Sequence, residues 1–371
     1  MDIFFLTNAF NIGGLEQLTL ETMRRLSGDE FRFHLCCLKK EGNLAREVRS
    51  LGIPVEAGFL RHKYDLPGVM RLAKTLRDKK IDILFLEPGR NALLASEALR
   101  PLVPIGRRIS ALHATAKLSG EKLFRPGVLP LLKRLDGVVT LTRTQRDHLV
   151  SHEGLDPSNI TVITNGVDHE KFRPVPREDL PLHPAGPKEK EIGVGIVASL
   201  NPIKGHGVFV EAAAIVAAEI PEARFFILGE GPERAKIEDH VERAGLSGVV
   251  RLLGNRRDLP SFLPHLRLLS LSSYSETLPI SIMEGMACGL PVVTTDVGSL
   301  RELIVDGETG LIVPPDRPET MASAFIRILR DPERAARMGR AGRKRIEEHF
   351  TLDRTVRDYA DYFRRIAGGA A

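Results

Sequence analysis

RPVPREDLPLHPAGPKEKE, residues 173–191, divides the chain into two stretches that read alike. It is dense in proline and charge and carries neither the two-residue alternation of a strand nor the 3.6-residue period of a helix. Before it, short apolar runs alternate with longer helical patterns: IFFL (3–6), FHLCCL (33–38), ILFL (83–86), GVVTL (137–141) and ITVI (160–163). After it the alternation restarts with IGVGIVASL (192–200), RFFILG (224–229), VVRLLG (249–254), LRLLSLS (266–272) and PVVTT (291–295). Strands that read as near-continuous apolar runs between helices indicate parallel sheets covered on both faces. The expected fold is therefore α/β, with two Rossmann-like doubly wound domains, 1–172 and 191–350, facing each other across a cleft. The segment 173–190 reads as the linker, and 351–371, containing TLDRTVRDYADYFRRI, as a terminal helix that packs back on the first domain.

A length of 371 residues suits two domains at about 150 residues each. With 43% hydrophobic and 27% charged residues, the composition argues against disorder and coiled coil. The net charge of +5 fits an anionic substrate, a membrane surface or nucleic acid without choosing among them. Cys36, Cys37 and Cys288 form neither a ligand set nor a disulfide framework, so a reducing cytoplasm is expected. The opening MDIFFLTNAF lacks a basic n-region and a cleavage site, and no run of about 18 apolar residues occurs, so neither secretion nor a membrane span is expected.

Doubly wound sheets bind ligands outside the carboxyl ends of their strands, and the distinctive motifs fall there. Gly13 and Gly14 in NIGGLE follow the first strand and precede a helix, where backbone N–H groups approach an anion; a tight turn without a ligand reads equally well. Lys204, on the glycine-bearing loop of VASLNPIKGHG, offers a point charge to a phosphate, although most lysines are simply solvated. His113 in RISALHATAK stands at a strand end, as a sugar contact or proton carrier or as a structural histidine. Gly229-Glu230-Gly231-Pro232 opens like a dinucleotide fingerprint, but Arg234 takes the third glycine's place and Val249-Val250-Arg251 stands where the ribose-binding acid belongs, which argues against a nicotinamide oxidoreductase.

The stretch SYSETLPISIMEGMACGLP, residues 273–291, holds Glu276 and Glu284. On one continuous helix an eight-residue spacing turns by roughly 80°, so the two carboxylates would not share a face. With Pro279 in the first helical turn, Glu276 falls in the preceding loop and Glu284 one to two turns inside. That places a helix N-terminus, suited to a phosphate, between two carboxylates able to accept sugar hydroxyl protons. Glu276 reads equally as a solvated loop residue, whereas Glu284, within small apolar MEGMAC, requires a partner.

From Arg100 to Arg146 the first domain is basic, with Arg107, Arg108, Lys117, Lys122, Arg125, Lys133, Arg134 and Arg143 against Glu121 and Asp136, and apolar residues interleave. The segment suits an anionic membrane face, or equally a helix with one buried and one solvated basic side.

Taken in order, Gly13-Gly14-Leu15-Glu16, VITNGVDHEKFRP (162–174), LNPIKG (200–205), LGEGPER (228–234), the two glutamates and MACGLPVVTTDVGSLRELIVDGETGLIVPP resemble glycosyltransferase family 4, retaining enzymes of the GT-B fold, over nearly the whole chain. The resemblance implies transfer of a sugar from a nucleotide-diphosphate sugar to a glycan or lipid-linked acceptor, without an obligate metal or other cofactor and without a nucleic-acid partner. It implies an acceptor-binding first domain and a nucleotide-sugar-binding second domain, in a setting such as bacterial surface polysaccharide synthesis at the inner membrane face. Catalytic roles fall by this resemblance to His113, Lys204 and Glu276. Donor contacts fall to Gly13, Gly14, Ser199, Asn201, Lys204, Gly231, Asn255, Arg256, Thr277, Leu278, Pro279, Ile280 and, on the ribose, Glu284.

Two departures stand out. The family's Arg before the Lys is replaced by Ala198-Ser199-Leu200, leaving Asn201, His206 or Arg234 to compensate, and Arg267 stands where an Asp is usual. Two other readings fit the same architecture: a nucleotide-sugar epimerase or hydrolase, and a non-catalytic nucleotide-sugar-binding module.

Overall fold

The computed structural model describes residues 1–11, 14–62, 65–87, 89–112, 127–181 and 183–368. The chain forms two compact units, Met1–Thr164 together with Asp353–Ala371, and Asn165–Leu352.

In the first unit the described strands are β1 (Asp2–Thr7), β2 (Arg32–Cys37), β3 (Val55–Ala57), β4 (Ile81–Leu86), β5 (Ile105–Leu112), β6 (Gly137–Thr140) and β7 (Ile160–Val162). They pair in the order β3-β2-β1-β4-β5-β6-β7, every pairing parallel. All six residues of β1 are buried because helices cover both faces. Alternate residues feed opposite cores: Phe4, Leu6, Leu84 and Leu86 enter one, and Ile3, Phe5, Ile83 and Phe85 the other. The Leu352–Gly368 helix completes the second of these cores, with Tyr359, Tyr362 and Phe363 buried there and Phe363 packed edge-on against Phe31, Phe33 and Phe85.

The second unit contains β8 (Ile192–Val197), β9 (Ala223–Leu228), β10 (Val250–Gly254), β11 (Leu266–Leu271), β12 (Val292–Thr295) and β13 (Gly310–Val313) among its described strands. Their order is β10-β9-β8-β11-β12-β13, again all parallel. Phe209, Phe225 and Phe325 meet edge-on or tilted beneath the sheet. Arg267 is exposed and coincides with a shift of register between Leu266 and Leu268 on the β8 side, so the unexpected residue sits at an irregularity of pairing.

The proline-rich segment does not mark the passage between units, which falls earlier, at Thr164–Asn165. Residues 173–190 pack on the second unit instead. His183 Nε2 lies 3.2 Å from Asp258 Oδ2, Arg251 donates to the Gly186 carbonyl at 3.4 Å, and Arg343 donates to the carbonyls of His169 and Phe172. Outgoing and returning chains run side by side, Val167 N–H bonding the Phe350 carbonyl and Leu352 N–H the Val167 carbonyl, both at 2.9 Å. All three cysteines are free and buried.

In both sheets the strand order reverses direction beside the first strand, between β1 and β4 and between β8 and β11. Loops diverge at such switch points and leave a crevice at the carboxyl ends.

Candidate functional site

At the switch point of the second unit, β8 leads into a single 3₁₀ turn, Pro202–Lys204, and then the His206–Glu219 helix. Gly205 between them has φ +62°, and a Cβ there would lie 2.2 Å from the Ser272 carbonyl oxygen. The glycine thus lets the lysine loop press against the chain leaving β11. That contact brings Lys204 Nζ to 2.6 Å from Glu276 Oε1, and Ser273 Oγ donates to the same oxygen at 2.6 Å. Glu276 is 6% exposed, so it is no solvated loop residue; a buried carboxylate is held there by an ammonium and a hydroxyl. Gly298, at φ +59°, packs its Cα against the Glu276 backbone, where a Cβ would come within 1.7 Å of the carbonyl oxygen.

Thr277 and Leu278 are buried and lead to Pro279, the N-cap of the Ile280–Ala287 helix. No side chain caps that helix, so its first amides remain open to an anion. Asn165 braces the approach by donating from Nδ2 to the Leu278 carbonyl at 3.0 Å. Glu284 lies in the second turn, half-buried, and no donor among the described residues lies within hydrogen-bonding distance of its carboxyl group. Desolvation pushes its pKa up to about 8 against a small opposing pull from Lys171. It therefore holds its proton at neutral pH, as a group whose partners come from a ligand would.

The loops after β8 and β9 abut. Gly229 and Gly231 approach the backbones of Ala198 and Leu200 so closely that a Cβ would fall 1.9 and 2.3 Å from their carbonyl oxygens. The GEGP glycines thus serve loop packing. Ser199 is exposed and accepts from Asn201 Nδ2 at 2.8 Å. Asn255 is exposed after β10, while Arg256 is occupied, its Nε and Nη2 both donating to Asp258.

None of the three proposed compensators supplies a free cation for the absent arginine. His206 is 3% exposed, and burial together with Lys204 pushes its pKa down to about 4, so it is neutral; Arg234 is paired with Glu230 and Glu238; Asn201 is tied to Ser199. Lys204 is the cation that the lysine loop itself brings to this switch point.

In the first unit the switch point holds Thr7, Asn8 and Glu87. Glu87 Oε2 accepts from Thr7 Oγ1 at 2.5 Å and from the Asn8 N–H at 2.8 Å, and Asn91 Nδ2 donates to Asn8 Oδ1. Glu16 on the Gly14–Leu26 helix has a raised pKa, from desolvation and then from Glu87. Gly14 is exposed at the start of that helix. Gly13 and His113 lie outside the described residues, as do Lys117, Lys122 and Arg125 of the basic segment. Others in that segment are engaged within the chain: Arg108 pairs with Glu97 and donates to the Arg134 carbonyl, Arg134 pairs with Glu97, and Arg107 faces Asp136. Among the described residues no helix is long and apolar enough to cross a membrane, and no three His, Cys, Asp or Glu side chains gather as a metal-ligand set.

Sequence reasoning missed Ser273, Asn165, Gly298 and Glu87. Asn165 and Gly298 stand inside motifs that carried the resemblance, so their presence was visible although their roles were not.

Two family models match the chain, "Glycosyltransferase Family 4" over residues 12–171 and "Glycosyl transferases group 1" over 182–345. The UDP-Gal:alpha-D-GlcNAc-diphosphoundecaprenol alpha-1,3-galactosyltransferase of Escherichia coli is 25% identical over 332 residues, covering 86% of either chain. A D-inositol 3-phosphate glycosyltransferase of Rhodococcus jostii is 31% identical over 281 residues, covering 71% of this chain and 61% of that protein. The crystal structure of Anabaena Alr3699/HepE in complex with UDP and glucose shares the fold with a TM-score of 0.83 at 21% identity, covering 98% of this chain and 99% of that one. Two parallel α/β units, the ordered motifs and these likenesses lead to one conclusion: the chain belongs to the group 1, family 4 type of glycosyltransferases, enzymes of the GT-B fold.

Proposed function

We propose that the chain transfers a sugar from a nucleotide-diphosphate sugar to a glycan or lipid-linked acceptor with retention of anomeric configuration, as a step in building a cell-surface polysaccharide. The observation that carries the donor assignment is Glu284, a carboxyl without a hydrogen-bond donor among the described residues, its pKa pushed up to about 8, in the second turn of a helix whose end no side chain caps. A ribose diol supplies the two donors this group lacks. The diphosphate then meets the open amides at Ile280 and the ammonium of Lys204, and the sugar meets Glu276 and the backbone of Thr277–Pro279. Gly13 and Gly14 approach the diphosphate, and His113 the sugar, in the same reading. The acceptor assignment draws support from the relative in Escherichia coli, whose name gives a diphosphoundecaprenol-linked acceptor.

In the reaction the bond from the sugar's anomeric carbon to the diphosphate oxygen breaks while the acceptor oxygen bonds to the same face. The acceptor's proton passes to the departing phosphate oxygen. Lys204 and the helix amides stabilise the charge that grows on the leaving group, already oriented toward it. With that role filled by protein groups, turnover is expected to survive a chelator.

The test is calorimetry against a panel of nucleotide sugars, followed by transfer assays with the best donor and NMR of the product's anomeric carbon. Binding of one donor, abolished in Glu284→Ala, is expected, with a product of unchanged anomeric configuration. Absence of binding to every nucleotide sugar would overturn the donor assignment, and an inverted product the stereochemical one.

A further inference from the structure

The first unit carries a polar cavity that the reaction above does not use. It has a volume of about 500 Å³ and lies along the edge strand β7 and the start of β6, closed on one side by the Leu352–Gly368 helix. Three arginines line it: Arg143 and Arg146, three apart on the Arg143–Ser151 helix and so on one face, and Arg365 on the terminal helix. Arg365 spends one N–H on Thr161 Oγ1 at 3.0 Å and stacks over the Tyr362 ring at 5.5 Å; Arg146 donates no hydrogen bond within the described residues and faces only Asp147, at 4.0 Å. Two carboxylates stand in the lining, Asp136 and Asp147. Asp136 is neutralised from outside the cavity, accepting the Arg108 N–H at 2.7 Å and facing Arg107 at 3.6 Å.

An independent feature is Tyr362. The residue is 3% exposed and lines the cavity, and its hydroxyl is buried without a partner among the described residues. That hydroxyl presses against Gly137, where a Cβ would lie 2.2 Å away, so the glycine is what lets it sit at the sheet edge. A buried hydroxyl without an acceptor is costly, and the missing acceptor can come from an occupant of the cavity. Burial raises the tyrosine's pKa, so it remains a neutral donor at any ordinary pH.

Guanidinium groups from two elements, with the hydroxyl of Thr161 in the same lining, match the tetrahedral oxygens of a phosphate better than any neutral ligand. We propose that this cavity binds a phosphate group, carried by a free phosphate compound or by a lipid headgroup, at a site built from the first unit alone. The site involves none of the donor-contacting residues, so it stands or falls independently of the proposed donor.

The test uses the full chain carrying Lys204→Ala, which removes the side-chain cation assigned to phosphate in the donor site. Inorganic phosphate is titrated by calorimetry, and retention by vesicles of anionic phospholipid is compared with retention by neutral ones. Binding in either arm, weakened about tenfold or more in Arg146→Gln/Arg365→Gln and by a smaller factor in Tyr362→Phe, is the expected result. Free phosphate bound without vesicle retention identifies a soluble ligand; retention without free phosphate binding identifies a headgroup. Tyr362→Phe keeps the packing of the ring, so its loss of affinity with an unchanged melting temperature separates a ligand contact from misfolding. Absence of binding in both arms, or binding indifferent to all three substitutions, overturns the proposal.

Discussion

The two ends of the segment 273–291 contain the same functional group in opposite states. Glu276, in the loop, is buried and already engaged by Lys204 and Ser273. Glu284, in the helix, is half-buried and has no hydrogen-bond donor among the described residues. The difference divides the segment: one carboxylate completes itself within the protein and fixes the position of the lysine, while the other stays incomplete and, in the proposed function, is completed by a ligand. An engaged group gives geometry, and an unengaged one gives affinity.

The contrast is broken most directly at its cation. Lys204→Ala leaves Glu276 buried without its ammonium and removes the cation proposed to meet the leaving group; turnover is expected to fall about 10²–10³-fold, read by steady-state transfer kinetics. Glu276→Gln keeps the shape and the Ser273 bond but frees the lysine, and a loss of roughly 10²-fold in kcat with a smaller change in KM is the expected signature of a positioning role. Unchanged kcat would reduce Glu276 to a structural residue.

Removing the ionisable group at the other end affects binding first. Glu284→Gln is expected to weaken donor binding by about ten- to a hundredfold, the range for a hydrogen bond to a charged group, with Lys204 still in place to act on whatever donor is bound. The native chain adds a pH signature. Its free form holds the Glu284 proton up to about pH 8, whereas a diol favours the ionised carboxylate. Donor affinity should therefore rise with pH toward 8 and then level, and calorimetric heats should vary with the buffer because binding releases a proton; a flat profile would falsify the reading of Glu284 as a ligand's acceptor.

The smallest effect is on stability. The folded pKa lies above the unfolded one, so this group's contribution is fully present below about pH 4.5 and is lost as pH rises through about 8. Glu284→Gln cannot ionise, so its melting temperature should match the parent near pH 4.5 and exceed it by a few degrees near pH 8.5, measured by thermal unfolding.

The sheets were largely legible because parallel strands buried on both faces read as unbroken apolar runs, as IFFL and RFFIL do. Val55–Ala57 and Gly310–Val313 were not picked out by pattern; both are edge strands, three and four residues long, too brief to show a period. The passage between units was misplaced because proline and charge report irregular backbone, and irregular backbone can be fastened down, as His183 on Asp258 and Arg251 on Gly186 show. The true passage runs through VITNGVDH, whose composition announces nothing. Helix and loop positions of the two glutamates followed from Pro279, but the partner of Glu276 lies 72 residues away in sequence, and no local pattern encodes that meeting. Arg256, assigned to the donor by resemblance, is held instead by Asp258 only two residues further on.

The Leu352–Gly368 helix has a consequence for how the chain is made. Its Phe363 fills a core begun by Phe5 and Phe33, so the first unit remains unfinished until residue 363 has been translated, whereas the second unit is complete by Leu352. On the ribosome the order of maturation is thus reversed relative to the order of sequence: the unit that starts first closes last. A stop codon between Leu352 and Phe363 would spare the second unit and leave the first with an open, aromatic-lined core, exposed to chaperones and proteases.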